Sequence, residues 1–292
     1  MDSAGSRPLV TLYVVSYNHE KFIRQAIESA LAQTYRPIQF IFSDDCSTDR
    51  GFEIMREMAG QHQGQEDILL NRNRSNMGTV DHLNRIFFEF ARGKYLIPLA
   101  GDDVTSPDRT EKVVSLLQST MASAVSVNPV LINENGYTDG RRLYKQYPAG
   151  LLHFESFFRN NLVFFGAGGY AREIFDIYGP MKNSARNEDT ILALRASTLG
   201  GIAYMNEPVY LYRFHGNNMS YWSKISRDPG NRDQYVLAAN RNELQNFRNF
   251  SQEVSASYRG PERDKLLALL NSNIGRLARL VAEGELIAQA KP

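Results

Sequence analysis

The sequence predicts an α/β fold in which a parallel sheet is covered by helices. Three observations predict it. Short β-branched and aromatic runs alternate with stretches of helical periodicity about four times before residue 130. Turn and capping residues punctuate the switches between them. Polar or acidic residues recur at the C-terminal ends of the apolar runs, the edge where open α/β sheets bind ligands.

PLVTLYVVSY (8–17) reads as a buried strand ending at Asn18. EKFIRQAIESALAQ then puts Phe22, Ile23, Ala26, Ile27, Ala30 and Leu31 on one helix face. PIQFIFSDD (37–45) is a second strand running into acids. Ser47, Thr48 and Asp49 are placed to cap the next helix, which turns Phe52, Met55 and Met58 inward. DILLNR (67–72) is a third strand. A helix over 79–92 carries Val80, Leu83, Phe87 and Phe90 on one side and stops at Gly93. KYLIPLAGDD (94–103) is a strand closed by two aspartates, Ser106-Pro107 reads as a hydroxyl cap with a first-turn proline, and ASAVSVN (122–128) is another strand.

The second half is less regular. Residues 133–150 read as a hairpin or long loop, 153–160 as a short helix, and 163–175 as a Gly-rich bend joined to a helix. NEDTILALRASTLG (187–200) is an amphipathic helix with an acidic first turn. GIAYMNEPVYLYRFHGNN gives one or two strands ending at Arg213, Phe214 and His215, and residues 231–292 read as helices broken near Gly260-Pro261.

The 292 residues carry 33 Lys+Arg against 32 Asp+Glu, a net charge of +1, and are 42% hydrophobic. That balance has neither the basic excess of a phosphate-gripping nucleic-acid binder nor the polarity of a disordered chain. Cys46 is alone, which excludes an intramolecular disulfide and a Cys-rich zinc site. The start has no apolar signal region, and no run reaches the roughly 18–20 apolar residues of a membrane-spanning helix. A soluble cytoplasmic protein is the expectation.

Asp102 and Asp103 follow a buried strand and precede a helix. Adjacent carboxylates repel, so an apolar strand end suits them only with a partner, and a divalent cation is a natural one. Mg²⁺ takes one or two carboxylates and completes its sphere with water and substrate phosphates. The alternative is a solvated turn before a helix N-terminus, where acids are favoured. An ionised Asp45 can accept the ring N–H of a uracil-like base or ribose hydroxyls, or else serve the helix start. Ser16, Tyr17 and Asn18 end the neighbouring strand, where Tyr17 can pack on a base or join the core. Glu188 and Asp189 are either site acids or an acidic first turn. The bend at 166–169 lacks a phosphate-loop pattern and reads as an acceptor-side loop, with Gly168 and Gly169 giving close approach.

LYVVSYNHEKFIRQAIESALAQTY, FIFSDDCSTD, SNMGTVDHLN and GKYLIPLAGDD, in this order, resemble the motifs of glycosyltransferase family 2, the inverting enzymes of GT-A fold. The likeness is good over residues 8–118 and weaker to about 220. It implies a Rossmann-like mixed sheet flanked by helices, with a C-terminal helical extension, and a nucleotide-diphospho-sugar donor with Mn²⁺ or Mg²⁺. Carried over by position, Asp45 matches the nucleobase-contacting acid, Asp102 the first acid of a DxD-like motif near the ribose, and Asp103 the metal-binding acid. Glu188-Asp189 resembles the family's ED pair, which makes Asp189 the general base with Glu188 touching donor or acceptor. YRFHGNNMS (212–220) resembles a Tyr-Arg-x-His segment whose histidine, here His215, reaches the metal or diphosphate. Cys46 stands where the family usually has glycine, GDD replaces DAD or DDD, and Asp81 and His82 occupy the place of an expected basic residue. The Gln-x-x-Arg-Trp signature of processive synthases is missing, Trp222 being the only tryptophan.

The resemblance divides the chain into a flexible N-terminus (1–7), a glycosyltransferase domain (8–225, nucleotide-binding half 8–130 and acceptor-binding half 131–225) and a C-terminal helical region (226–292). That last region serves as core cover, pairs subunits into a homo-oligomer, or rests peripherally on the inner face of the cytoplasmic membrane. The expected activity is inverting transfer from a UDP-sugar or related donor to a saccharide or lipid-linked saccharide in cell-surface polysaccharide biosynthesis. The competing readings are a sugar-1-phosphate nucleotidyltransferase, which would need a basic Gly-rich loop where Asn18-His19-Glu20 stands, and a non-catalytic nucleotide-sugar-binding protein.

Overall fold

The computed structural model describes residues 7–143, 150–155, 167–182, 184, 187–216, 218, 224–225 and 228–290. Residues 144–149 of the predicted loop, 156–160 of the predicted short helix, Gly166, Met219, Ser220 and Trp222 lie outside the described residues.

Eleven described strands follow one another along the chain: β1 (Val10–Ser16), β2 (Ile38–Asp44), β3 (Asp67–Arg72), β4 (Tyr95–Ala100), β5 (Val104–Thr105), β6 (Ala124–Val127), β7 (Val130–Ile132), β8 (Leu151–Leu152), β9 (Gly169–Ala171), β10 (Ile202–Met205) and β11 (Tyr210–Arg213). The described helices are α1 (Ile23–Leu31), α2 (Gly51–Gln61), α3 (Thr79–Arg85), α4 (Arg109–Thr120), α5 (Glu173–Tyr178), α6 (Glu188–Ser197), α7 (Arg232–Ser257) and α8 (Arg263–Ala290). Eight strands form one sheet in the order β3-β2-β1-β4-β9-β6-β10-β8. β5, β11 and β7 form a small second sheet.

The first four strands are parallel and alternate with helices, as their buried β-branched runs predict. The all-parallel expectation ends at β9, which runs antiparallel to both β4 and β6. Two glycines admit it. A Cβ on Gly168 would lie 1.8 Å from the Val125 carbonyl oxygen, and one on Gly169 would lie 2.6 Å from Ile97 Cδ1. The close approach read for an acceptor-side loop is thus an approach of one strand to its neighbours.

Two helices differ from their sequence patterns, one at its start and one at its end. α4 begins at Arg109, and Ser106 Oγ donates to Asp108 Oδ1 (2.6 Å) instead of capping the helix. The helix predicted over 79–92 is α-helical to Arg85 and then widens into a π turn, Ile86–Phe90, which buries Ile86 and Phe87 side by side. At α2 the expectation holds: Asp49 Oδ1 accepts the Gly51 N–H (2.9 Å).

Each face of the large sheet is covered by its own apolar cluster. Val10, Leu12 and Val14 of β1 face α1 and α4 through Ile23, Ile27, Val113 and Leu117. Tyr13 and Leu96 face the other way, toward Phe87, Phe175 and Leu192. Phe247 and Phe250 of α7 and Leu266, Leu270 and Leu277 of α8 complete that second cluster. The C-terminal helices therefore act as core cover.

Candidate active site

The site lies at the C-terminal edge of β1, β2 and β4. In-register pairing brings Ser16 opposite Asp44 and Val15 opposite Ala100, so these strands end level. The Asp45 N–H donates to the Ser16 carbonyl (2.9 Å) and the Gly101 N–H to the Val15 carbonyl (2.8 Å). Asn18, at φ +59°, accepts the Thr48 N–H (2.9 Å) on its side-chain oxygen and donates its own N–H to Ser47 Oγ (2.9 Å). It ties the two loops together. Tyr17 is 41% exposed beside them, so it is not a core residue.

The paired aspartates point in different directions. Asp103 turns inward, and each of its oxygens accepts one hydrogen bond: Oδ1 from the Arg213 N–H (2.7 Å) and Oδ2 from the Tyr210 hydroxyl (2.7 Å). Burial first, then the charge of Asp102, pushes the Asp103 carboxyl well above its ordinary range. Asp103, which the resemblance makes the metal-binding acid, is thus anchored to β11 by both oxygens, while its neighbour Asp102 faces two histidines.

Asp102 Oδ2 is hydrogen-bonded with His215 Nε2 (3.0 Å) and lies 3.6 Å from His19 Nε2. Burial pushes the Asp102 carboxyl up, but the hydrogen bond with His215 and the charges of His19 and His215 outweigh it, holding the group below the usual carboxylate range. Phe22 packs on His215 with ring centroids 4.7 Å apart, and Asn218 Oδ1 accepts the His215 N–H (2.6 Å). Gly101 makes room for this cluster: a Cβ there would meet His19 Nδ1 at 2.9 Å and Ser16 Cβ at 3.1 Å.

Two buried polar atoms at this point, Ser16 Oγ and His19 Nδ1, have no hydrogen-bond partner. Orphaned polar atoms beside an oxygen–nitrogen donor pair fit a divalent ion whose remaining sites are filled by water and substrate phosphate. Among the described residues no group of three or more His, Cys, Asp or Glu side chains is arranged to hold a metal by itself. The fit is therefore to an ion shared with a substrate.

Asp45 lies two strands from Asp102, about 10 Å by ordinary strand spacing. Its carboxylate accepts from Asn73 Nδ2 (2.8 Å), the Met77 N–H (2.9 Å) and the Gly78 N–H (2.9 Å), which pins the 73–78 loop across the strand end. Glu188 and Asp189 begin α6 on the other face of the sheet. The Tyr170 hydroxyl hydrogen-bonds Asp189, and the charges of both acids act on buried Tyr13 and Tyr170. Burial pushes the Glu188 carboxyl up. Fully buried Arg109 is felt by Tyr13 on that side and by Tyr210 and Asp103 on the other, and stacks on the Tyr210 ring at 4.8 Å.

The structure thus gathers Asp102, His215, Ser16 and His19 at one point, puts Asp45 two strands away, and sets Asp189 beside Tyr170. Sequence reasoning missed Tyr210, Arg213, His19 and Asn73. Arg213 is 1% exposed; its Nε donates to the Asp102 carbonyl (2.7 Å) and its Nη1 to the Glu134 carbonyl (2.9 Å). The one available signal was a lone arginine closing an aromatic strand two residues before His215.

Sheet order and acid-lined edge define a GT-A-type glycosyltransferase. Residues 11–178, more than half of the chain, match the model of glycosyl transferase family 2, and the chain belongs to that family of enzymes. An uncharacterized glycosyltransferase of Haemophilus influenzae is 29% identical over 229 residues, spanning 73% of this chain and 68% of that one. Among solved structures, S. aureus TarS (residues 1–349) in complex with UDP superposes with a TM-score of 0.62 at 14% identity, covering 89% of this chain and 70% of TarS. The mannosyltransferase PcManGT from Pyrobaculum calidifontis, in complex with GDP-Man and Mn²⁺, gives 0.60 at 16% identity, covering 98% and 77%. At these identities the structural likeness speaks for the fold alone.

Proposed function

We propose that this protein is an inverting glycosyltransferase moving a sugar from a nucleotide-diphospho-sugar to a hydroxyl of a saccharide or lipid-linked saccharide acceptor, in the building of a cell-surface polysaccharide. The observation that carries the reading is the pairing of Asp102 with His215 at the strand edge, with Asp45 two strands away. The two ends of a nucleoside diphosphate are matched there, the base at Asp45 and the diphosphate at Asp102. Asp102 and His215 are the metal ligands in this reading, and Asp103 is the lock that fixes their turn. Ser16, Tyr17 and Asn18 floor the nucleotide between them.

Inversion requires the acceptor hydroxyl to reach the anomeric carbon from the face opposite the leaving diphosphate. The new C–O bond forms as the bond to the diphosphate oxygen breaks, and the hydroxyl proton passes to Asp189. Tyr170 holds that carboxylate in place, and Glu188 beside it contacts donor or acceptor. A bound Mn²⁺ or Mg²⁺ supplies Lewis-acid compensation for the charge that the diphosphate gains.

The test separates binding from chemistry. Asp189→Asn is expected to keep Mn²⁺-dependent donor binding, read by calorimetry, while transfer falls by about 10²–10⁴-fold, the usual worth of a general base. Asp102→Ala is expected to lose the metal-dependent part of donor binding. Full transfer by Asp189→Asn would refute the base assignment; equal donor affinity in Asp102→Ala would refute the metal site.

A further inference from the structure

Asp45 is not a free carboxylate. A carboxylate has about four acceptor positions, two on each oxygen. Oδ1 already accepts two hydrogen bonds, from Asn73 Nδ2 (2.8 Å) and the Met77 N–H (2.9 Å). Oδ2 accepts one, from the Gly78 N–H (2.9 Å). One lone pair, on Oδ2, is left.

Behind Asn73 stands a buried chain that fixes its orientation. Asn73 Oδ1 accepts from Asn71 Nδ2 (3.0 Å) and Arg85 Nη1 (3.0 Å), so only its amide nitrogen can face Asp45. Asn71 Nδ2 also donates to Ser43 Oγ (2.8 Å). Ser43 Oγ in turn shares a hydrogen bond with His82 Nε2, 2.6 Å away. His82 is 4% exposed, and burial pushes its pKa down, which favours the neutral ring. Both Asn71 amide protons and the Asn73 amide have acceptors in this chain, and the last donation lands on Asp45 Oδ1. Buried networks satisfied in this way are rigid.

We propose that Asn73, held by the Asn71–Ser43–His82 chain, is a specificity-determining residue: by filling Asp45 Oδ1 it restricts the donor base to one with a single ring N–H, uracil or thymine, and disfavours guanine. Uracil offers one N–H at the edge a carboxylate reads and needs one lone pair. Guanine offers two parallel N–H groups, one from the ring and one from the amino group, which a free carboxylate would take with one oxygen each. Here the second oxygen is full, so a guanine N–H would be buried without a partner. The fold does not make this choice, since neighbours of the same fold hold UDP in one case and GDP-Man in another. The inference rests on the reading of Asp45 as the base contact.

Calorimetry of the full chain in Mn²⁺ buffer with UDP, dTDP and GDP tests it. UDP and dTDP are expected to bind at least about tenfold more tightly than GDP, the worth of one buried donor left unpaired. Asn73→Ala, checked for a native melt, is expected to weaken UDP and to narrow the UDP:GDP ratio, since it frees one lone pair on Oδ1 while the Met77 N–H keeps the other. A structural role alone would lower the melting temperature and leave the ratio where it was. If Asn73→Ala does not fold, His82→Leu reads the same ratio and is expected to shift it less, in the same direction. GDP binding as tightly as UDP, or a ratio unmoved in the folded variant, overturns the proposal. Binding of none of the three diphosphates overturns the donor reading and the proposal with it.

Discussion

Cys46 sits at φ +64°, in the left-handed region where a side chain crowds its own carbonyl, and its thiol reaches only the Arg74 carbonyl at 3.7 Å. The residue follows Asp45, so the turn sets the aim of that carboxylate. Cys46→Gly is expected to stabilise the protein by up to about 1 kcal/mol, read as a raised Tm with UDP affinity kept. At this scale the sequence shows which residues are acids but not where each one points. Asp102 and Asp103 are chemically identical and adjacent. What separates them is Tyr210 and the Arg213 N–H, 107 and 110 residues downstream of Asp103. No local spacing encodes that partnership. Likewise the sequence puts His82 where a basic residue is expected, and it reads as a surface or satisfied structural histidine; the structure makes it the latter, buried against Ser43 of β2.

Arg195 of α6 is fully buried, with Nε and Nη2 each meeting an oxygen of Glu253 of α7 (2.9 and 2.8 Å) and Nη1 donating to the Gly179 carbonyl (2.8 Å). α6 also begins with Glu188 and Asp189, so this bidentate pair sets the height of that acidic first turn. Glu253→Ala leaves the guanidinium buried and unpaired. It is expected to cost about 3–5 kcal/mol in urea unfolding. A loss under about 1 kcal/mol would place the pair among solvent-screened bridges. Elements were legible where one periodicity held: β1 to β4 and α1 match their patterns to within three residues, and α2 follows its predicted caps. β9 was not, because three residues after glycines carry no alternation to read. The π turn was missed because a helical stripe looks the same with one extra residue inserted.

Over the whole molecule, one sheet is shared by two clusters, and α8 is the last element to join the second. Leu266, Leu270 and Leu277 are each at most 1% exposed. Full burial of such side chains contributes about 1.5–3 kcal/mol apiece, together comparable to the entire stability of an ordinary domain. A chain stopped after residue 258 is expected to lose cooperative thermal unfolding and to bind a hydrophobic dye; a sharp transition in that truncated chain would show that α8 is dispensable. The fold class was legible because alternation of strand and helix admits few arrangements. The strand order past β4 was not, since it depends on which later segment is thin enough to slip in. Among the described residues no helix is long and apolar enough to cross a membrane.

The seat of β9 between β4 and β6 has a consequence for biosynthesis. Until Gly168 and its neighbours leave the ribosome, β4 presents a raw backbone edge, and the sheet has no path to β6 and β10. The nascent nucleotide half must wait for a stretch some seventy residues further on, and its underside waits longer still, for α8. A polypeptide that emerges from its N-terminus thus finishes its oldest strands last, and an arrest anywhere in that interval leaves a sticky, unpaired rim open to another chain.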